Sequence, residues 1–66
     1  MKISVNGDEM EVGNDMLMIG LLRQLDLEGK RLAVEINEEL VPRSTFADHR
    51  INPGDKVEIV RAIGGG

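Results

Sequence analysis

A chain of 66 residues with a net charge of −4 and no cysteine is one small domain, and several classes of protein are excluded at once. A chain this short buries only about 60% of its unfolded surface, which leaves no room for a second domain or a deep cleft of its own. Disulfides, iron–sulfur ligation and thiol catalysis are out without cysteine, and acidic and basic residues scattered along the chain do not form the clustered basic face that nucleic acid requires.

The N-terminal residues lack the basic-then-apolar layout of a signal peptide, and no apolar run is long enough to span a bilayer. The expectation is a soluble protein of the cytoplasm, monomeric when free, with no nucleic-acid or membrane partner. The small negative charge is what solubility alone requires, and it also suits a partner with a basic patch.

In chain order, Met1-Lys2-Ile3-Ser4-Val5 alternates, with Ile3 and Val5 on one face, and predicts a half-buried strand. Asn6-Gly7-Asp8 is a tight hairpin signal, because Asn and Gly tolerate positive φ. Glu9 to Val12 returns as a second strand with Met10 and Val12 on one face. Gly13-Asn14-Asp15 breaks the strand, and Asn14 or Asp15 is expected to cap a helix. Met18, Leu21, Leu22 and Leu25 then recur at i, i+3, i+4 and i+7, one apolar helical stripe. Gly20 interrupts it at a cost of about 1 kcal/mol relative to alanine, which a close helix–sheet contact would explain. The methionines read as core filler.

Glu28-Gly29-Lys30 is a loop. Leu32-Ala33-Val34-Glu35-Ile36 alternates with Leu32, Val34 and Ile36 inward. Asn37-Glu38-Glu39 turns the chain. Leu40-Val41 can make only an edge strand, ended by Pro42, which cannot donate to a ladder. Residues Arg43 to Arg50 read as irregular, with one helical turn begun by Ser44 and Phe46 as anchor. Asn52-Pro53-Gly54-Asp55 is a turn, and Lys56 to Ile63 the last strand. The fold class is therefore α+β: a mixed sheet of four to five strands in the order β-β-α-β-β-β, with one helix across one face.

The last strand carries an asymmetry. If Val57 and Ile59 face the helix, Val60 and Ala62 face water. Together with Ala33 and Ile63 they would form a docking patch for a partner. Behind them stand Gly64, Gly65 and Gly66. Glycines bury nothing, and three in a row present a main-chain carboxylate on a slender arm that no side chain obstructs. At about 3.5 Å per extended residue they carry it roughly 10 Å from the body. The domain is read as residues 1–63 and the tail as 64–66. Terminal glycines are also common as inert ends.

No catalytic constellation stands inside the chain. His49 has no nucleophile near it in sequence. Asp8, Glu9 and Glu11 read as a solvated hairpin rim rather than a metal site. Ser44 and Thr45 suit a turn cap, and solvation is the default for Arg43 and Arg61. There is no phosphate-cradling glycine loop followed by lysine, so ATP binding by this chain alone is not expected. Neither a metal nor a cofactor is expected.

Several segments carry a resemblance when taken together: Ile3 and Asn6-Gly7; Ala33-Val34-Glu35-Ile36-Asn37; Val41-Pro42-Arg43-Ser44; Gly54-Asp55-Lys56-Val57-Glu58-Ile59-Val60; and Ala62-Ile63-Gly64-Gly65-Gly66. In order and spacing the chain resembles the ubiquitin-like β-grasp proteins, and among them the ThiS family of sulfur carriers of thiamine biosynthesis. Phe46 stands where that family often has tryptophan, and Gly20 breaks the helix, but neither touches the tail.

The resemblance implies a protein carrier rather than an enzyme. The Gly66 carboxylate would be adenylated by a ThiF-type enzyme, converted to a thiocarboxylate, and would deliver sulfur to the thiazole synthase ThiG. Three other readings share the fold: a MoaD-like carrier for molybdopterin synthesis, a ubiquitin-like modifier joined to lysines, and an interaction module with an inert tail. MoaD-like carriers are usually longer and richer in aromatics than this chain, which has one phenylalanine.

Overall fold

The computed structural model of the chain describes residues 1–61. Its elements are β1 (Lys2–Val5), β2 (Asp8–Glu11), α1 (Met18–Gln24), β3 (Leu32–Ile36), β4 (Glu39–Val41), a 3₁₀ turn (Arg43–Thr45) and β5 (Lys56–Arg61). The element order is the expected one. The five strands form one mixed sheet in the spatial order β2-β1-β5-β3-β4. β5 is therefore central, parallel to β1 and antiparallel to β3.

Both hairpins are two-residue turns. Val5 pairs with Asp8 and Ile36 with Glu39, and the residues between them all have positive φ: Asn6 51°, Gly7 88°, Asn37 53° and Glu38 71°. Two consecutive left-handed residues make the turn whose twist matches that of the flanking strands. Asn6-Gly7 announces such a turn in the sequence. Glu38 does not, since glutamate rarely adopts this conformation.

The helical stripe is buried as expected. Met18 and Leu21 are fully buried, Leu22 nearly so, and Leu25 packs at the edge of the core. The start of the helix differs from expectation. Its N-cap is Leu17, with no side-chain cap, and not Asn14 or Asp15. Asp15 instead pairs with Arg50 at 3.2 Å. The first amides of the helix are satisfied from far along the chain: Met18 N–H donates to the His49 carbonyl at 2.8 Å and Ile19 N–H to the Phe46 carbonyl at 3.0 Å. Orphan amides need an acceptor, and loop carbonyls serve as well as a capping side chain.

The C-terminal end closes in a Schellman arrangement. Leu27 N–H reaches the Leu22 carbonyl at 2.7 Å and Asp26 N–H that of Arg23 at 3.1 Å. Asp26, at φ 60°, takes the left-handed position usually held by glycine.

Gly20 has no sheet contact to explain it. A Cβ built there would meet the sulfur of Met16 at 3.0 Å and nothing of the sheet. A thioether at the end of a flexible side chain can move aside. Gly20→Ala is therefore expected to stabilise the domain by about 0.5–1 kcal/mol through helix propensity, a rise in Tm of several degrees by thermal melt.

The short turn after Pro42 begins at Arg43 rather than Ser44. Thr45 Oγ1 donates to the Pro42 carbonyl at 2.8 Å and closes it. Phe46 is buried, as expected.

Candidate functional site

The candidate site is the outer face of the sheet where β5 ends. In β5, Val57 and Ile59 are buried on the helix side, while Glu58, Val60 and Arg61 are exposed. Val60 lies opposite Ala33 of β3 in register, and both are open to solvent, Val60 at 66%. Alternation in two neighbouring strands thus brings together two of the residues singled out in the sequence.

The other expected site residues, Ala62, Ile63, Gly64, Gly65 and Gly66, lie outside the described residues. So does the end of the expected last strand, which is described as far as Arg61.

One exposed hydrophobic residue was missed. Leu40 is 67% exposed, and with Val60 it is a large apolar side chain in the open among the described residues. It pairs across β4–β3 with Glu35, which in turn pairs with Glu58 of β5. The signal was available: Val41 points inward, so its neighbour on a pleated strand must point out. The outer face therefore carries Leu40, Val60 and Ala33 beside two directly opposed glutamates. Like charges facing each other across a ladder cost stability. Both glutamates are exposed, and a cationic partner would relieve their repulsion.

β5 is fixed at both ends by asparagine side chains from the two hairpin turns. At its start, Asn37 Oδ1 accepts from Lys56 N–H at 3.0 Å and Nδ2 donates to Asp55 Oδ1 at 3.0 Å. Asp55, the one buried charged residue among those described, also accepts from Asn52 N–H at 2.9 Å. Near the far end, Asn6 Oδ1 accepts from Ile59 N–H at 2.7 Å and Nδ2 donates to the Ile59 carbonyl at 3.1 Å. Local sequence pattern assigns these asparagines only a turn role. Their second role depends on which strand lies beside the hairpins, which local pattern does not encode.

The remaining polar residues assemble nothing catalytic. His49 is half-buried, and its backbone carbonyl serves the helix. Asp8 and Arg61 flank an apolar groove lined by Val5, Met10, Leu25, Leu27 and Ile59, with no nucleophile in it. Among the described residues no cluster of His, Asp and Glu could hold a metal, and no helix is long and apolar enough to cross a membrane.

Comparison with known proteins bears on this geometry. The family model for the ThiS family matches residues 3–66. The sulfur carrier protein ThiS of Escherichia coli is 33% identical over 66 residues, covering 100% of both chains. A thiazole synthase of Paramagnetospirillum magneticum is 44% identical over 66 residues. This chain spans 20% of the length of that protein. The crystal structure of the thiamine biosynthesis protein ThiS from Geobacter metallireducens superposes with a TM-score of 0.86 at 30% identity, covering 100% of both chains. The expected β-grasp architecture is thus the observed one.

Proposed function

The chain belongs to the ThiS family, and from that membership we propose that it is a sulfur carrier for thiazole formation in thiamine biosynthesis, with the Gly66 carboxylate as its reacting group. The observation that carries this reading is the match across residues 3–66, which takes in the three closing glycines along with the domain. The similarity to a thiazole synthase and to a ThiS protein supports thiazole chemistry over the molybdopterin alternative.

A carboxylate is a poor acyl donor because oxide does not leave. Attack of a Gly66 carboxylate oxygen on the α-phosphorus of ATP expels pyrophosphate and gives an acyl-adenylate. A sulfur nucleophile then adds to the carbonyl carbon, and AMP departs with the C–O bond electrons. The product is a thiocarboxylate whose sulfur can be passed to a carbon electrophile. A ThiF-type enzyme would supply the adenylation site and ThiG the thiazole synthase. Glycines at positions 64 to 66 place no side chain between the carboxylate and either pocket.

The test is intact mass spectrometry after incubation with ATP, the adenylating enzyme and a sulfide source. The expected gain equals the replacement of one oxygen by sulfur. An unchanged mass overturns the proposal, and mass added through covalent attachment to other proteins points to a modifier instead.

The domain's part is docking. Val60, with Ala33 beside it, offers an apolar contact next to Glu35 and Glu58. Ala62 and Ile63 would extend that contact toward the tail. A partner surface with an apolar centre and basic rim fits this face, and complementary charge speeds encounter. Val60→Asp is expected to weaken binding to the adenylating enzyme by at least about tenfold while leaving the melting temperature nearly unchanged, because the side chain is already in water. Calorimetric titration against the enzyme checks it.

A further inference from the structure

β1 stops pairing with β5 early. The parallel ladder joins Ser4 to Lys56 and Val5 to Val57, after which the chain turns back into β2. β5 continues to Arg61. On the β1 side, the next backbone groups of β5 are the N–H and C=O of Ile59, and the Asn6 side chain takes the place of the missing strand. Its carboxamide accepts from that N–H at 2.7 Å and donates to that carbonyl at 3.1 Å. A carboxamide offers the donor and acceptor of a peptide unit, so it serves as one more rung. The Asn6 backbone N–H donates to the Val57 carbonyl at 2.8 Å, the rung before. A single residue in a left-handed turn thus prolongs the pairing to a point two residues short of Arg61.

We propose that Asn6 is a positioning residue for the acyl chemistry at Gly66: by gripping Ile59 it holds the C-terminal part of β5, from which the chain continues toward its reacting end. This rests on the reading of Gly66 as the reacting group. A strand end that loses bonds along one edge frays. Each residue released lengthens the tether and dilutes its end within the partner's active site, since effective concentration falls as the linker lengthens. The docking face is not part of the grip. Loss of Asn6 therefore lowers turnover and leaves the apparent affinity of the carrier for its enzyme in place.

Asn37 supplies the control. It sits in the other hairpin at nearly the same φ and grips β5 at Lys56, the opposite end of the strand. Asn6→Gly and Asn37→Gly both keep a residue that accepts positive φ, and each removes one side-chain grip. The full-length variants are assayed with the cognate adenylating enzyme at saturating ATP, at a temperature where circular dichroism shows both folded. Amide exchange is followed at Ile59 and Lys56.

For Asn6→Gly, kcat is expected to fall about tenfold, a modest loss for a misplaced reacting group, with KM for the carrier unchanged and faster exchange at Ile59. Asn37→Gly keeps the native kcat and exchanges faster at Lys56. A native kcat in Asn6→Gly overturns the inference, and so does an equal fall in both variants, which would make the grip merely structural. If the native protein is itself not adenylated, the function assigned to Gly66 fails and this role for Asn6 falls with it. That outcome is read in the native control and not in the variants.

Discussion

Removing Gly65 and Gly66 is expected to abolish thiocarboxylate formation completely and to leave the melting curve of the domain where it was. The two halves of that result have separate causes. The buried core among the described residues runs from Ile3 to Ile59, so the truncation takes away none of it. The chemistry, in contrast, loses its reach: the truncated chain still ends in a main-chain carboxylate, on Gly64, but about 7 Å of extended chain short of the Gly66 position. A side-chain carboxylate such as Glu58 sits on the sheet surface and cannot follow a slender main chain into a partner's pocket. Gly66→Ala tests the same point with less damage. It keeps the carboxylate but adds a methyl group beside the carboxyl carbon, which a partner's pocket shaped for glycine would not accept. Loss of the mass gain in both variants, with unchanged circular dichroism, is the expected outcome. A truncated protein that still supports thiazole formation would remove the tail from the mechanism altogether.

Much of the fold was legible in the sequence for a simple physical reason. A sheet covered on one face by one helix imposes a period of two on its strands and of 3.6 on the helix. Ile3, Val34, Ile36, Val57 and Ile59 follow the first, and Met18, Leu21 and Leu22 follow the second. The exposure of Val60 and Ala33 comes from the same alternation. Leu40 was equally readable from the inward Val41, yet a strand of three residues gives too short a pattern to draw attention.

What the sequence hid is long-range. The helix begins at Met18 because carbonyls of Phe46 and His49, roughly 30 residues on, receive its amides. Asn14 and Asp15 look like caps only while that loop is out of view. In the same way Asn6 and Asn37 read as turn formers, and their grip on β5 depends on the central place of the last strand, which no local pattern specifies. For Gly20, the sequence suggests a helix–sheet contact, whereas among the described residues a Cβ there would meet the Met16 sulfur and no strand.

Phe46→Ala is expected to leave most of the protein unfolded at 37 °C. Phe46 is the chain's only aromatic residue and is buried at 6% exposure. Truncating a buried phenylalanine costs about 3–5 kcal/mol, because the transfer energy is lost and a cavity remains. A domain of this length has a total stability of only about 3–10 kcal/mol. The loss is also concentrated where it does most harm. The Phe46 carbonyl receives the Ile19 N–H at 3.0 Å, and its own N–H donates to the Arg43 carbonyl at 3.1 Å. The side chain thus anchors the segment that caps the helix. Once it is gone, the first turn of a helix only seven residues long loses an acceptor as well as its packing. A helix so short does not hold itself together in water, since most helical stability in proteins comes from tertiary packing. Phe46→Leu separates the two contributions, because it fills most of the space and leaves the backbone bonds in place. It should melt cooperatively at a reduced temperature, while Phe46→Ala should show no cooperative transition above 37 °C in the same scan. A cooperative melt of the alanine variant near the native temperature would mean that the loop is held by its backbone bonds alone, and that the aromatic ring is not its anchor.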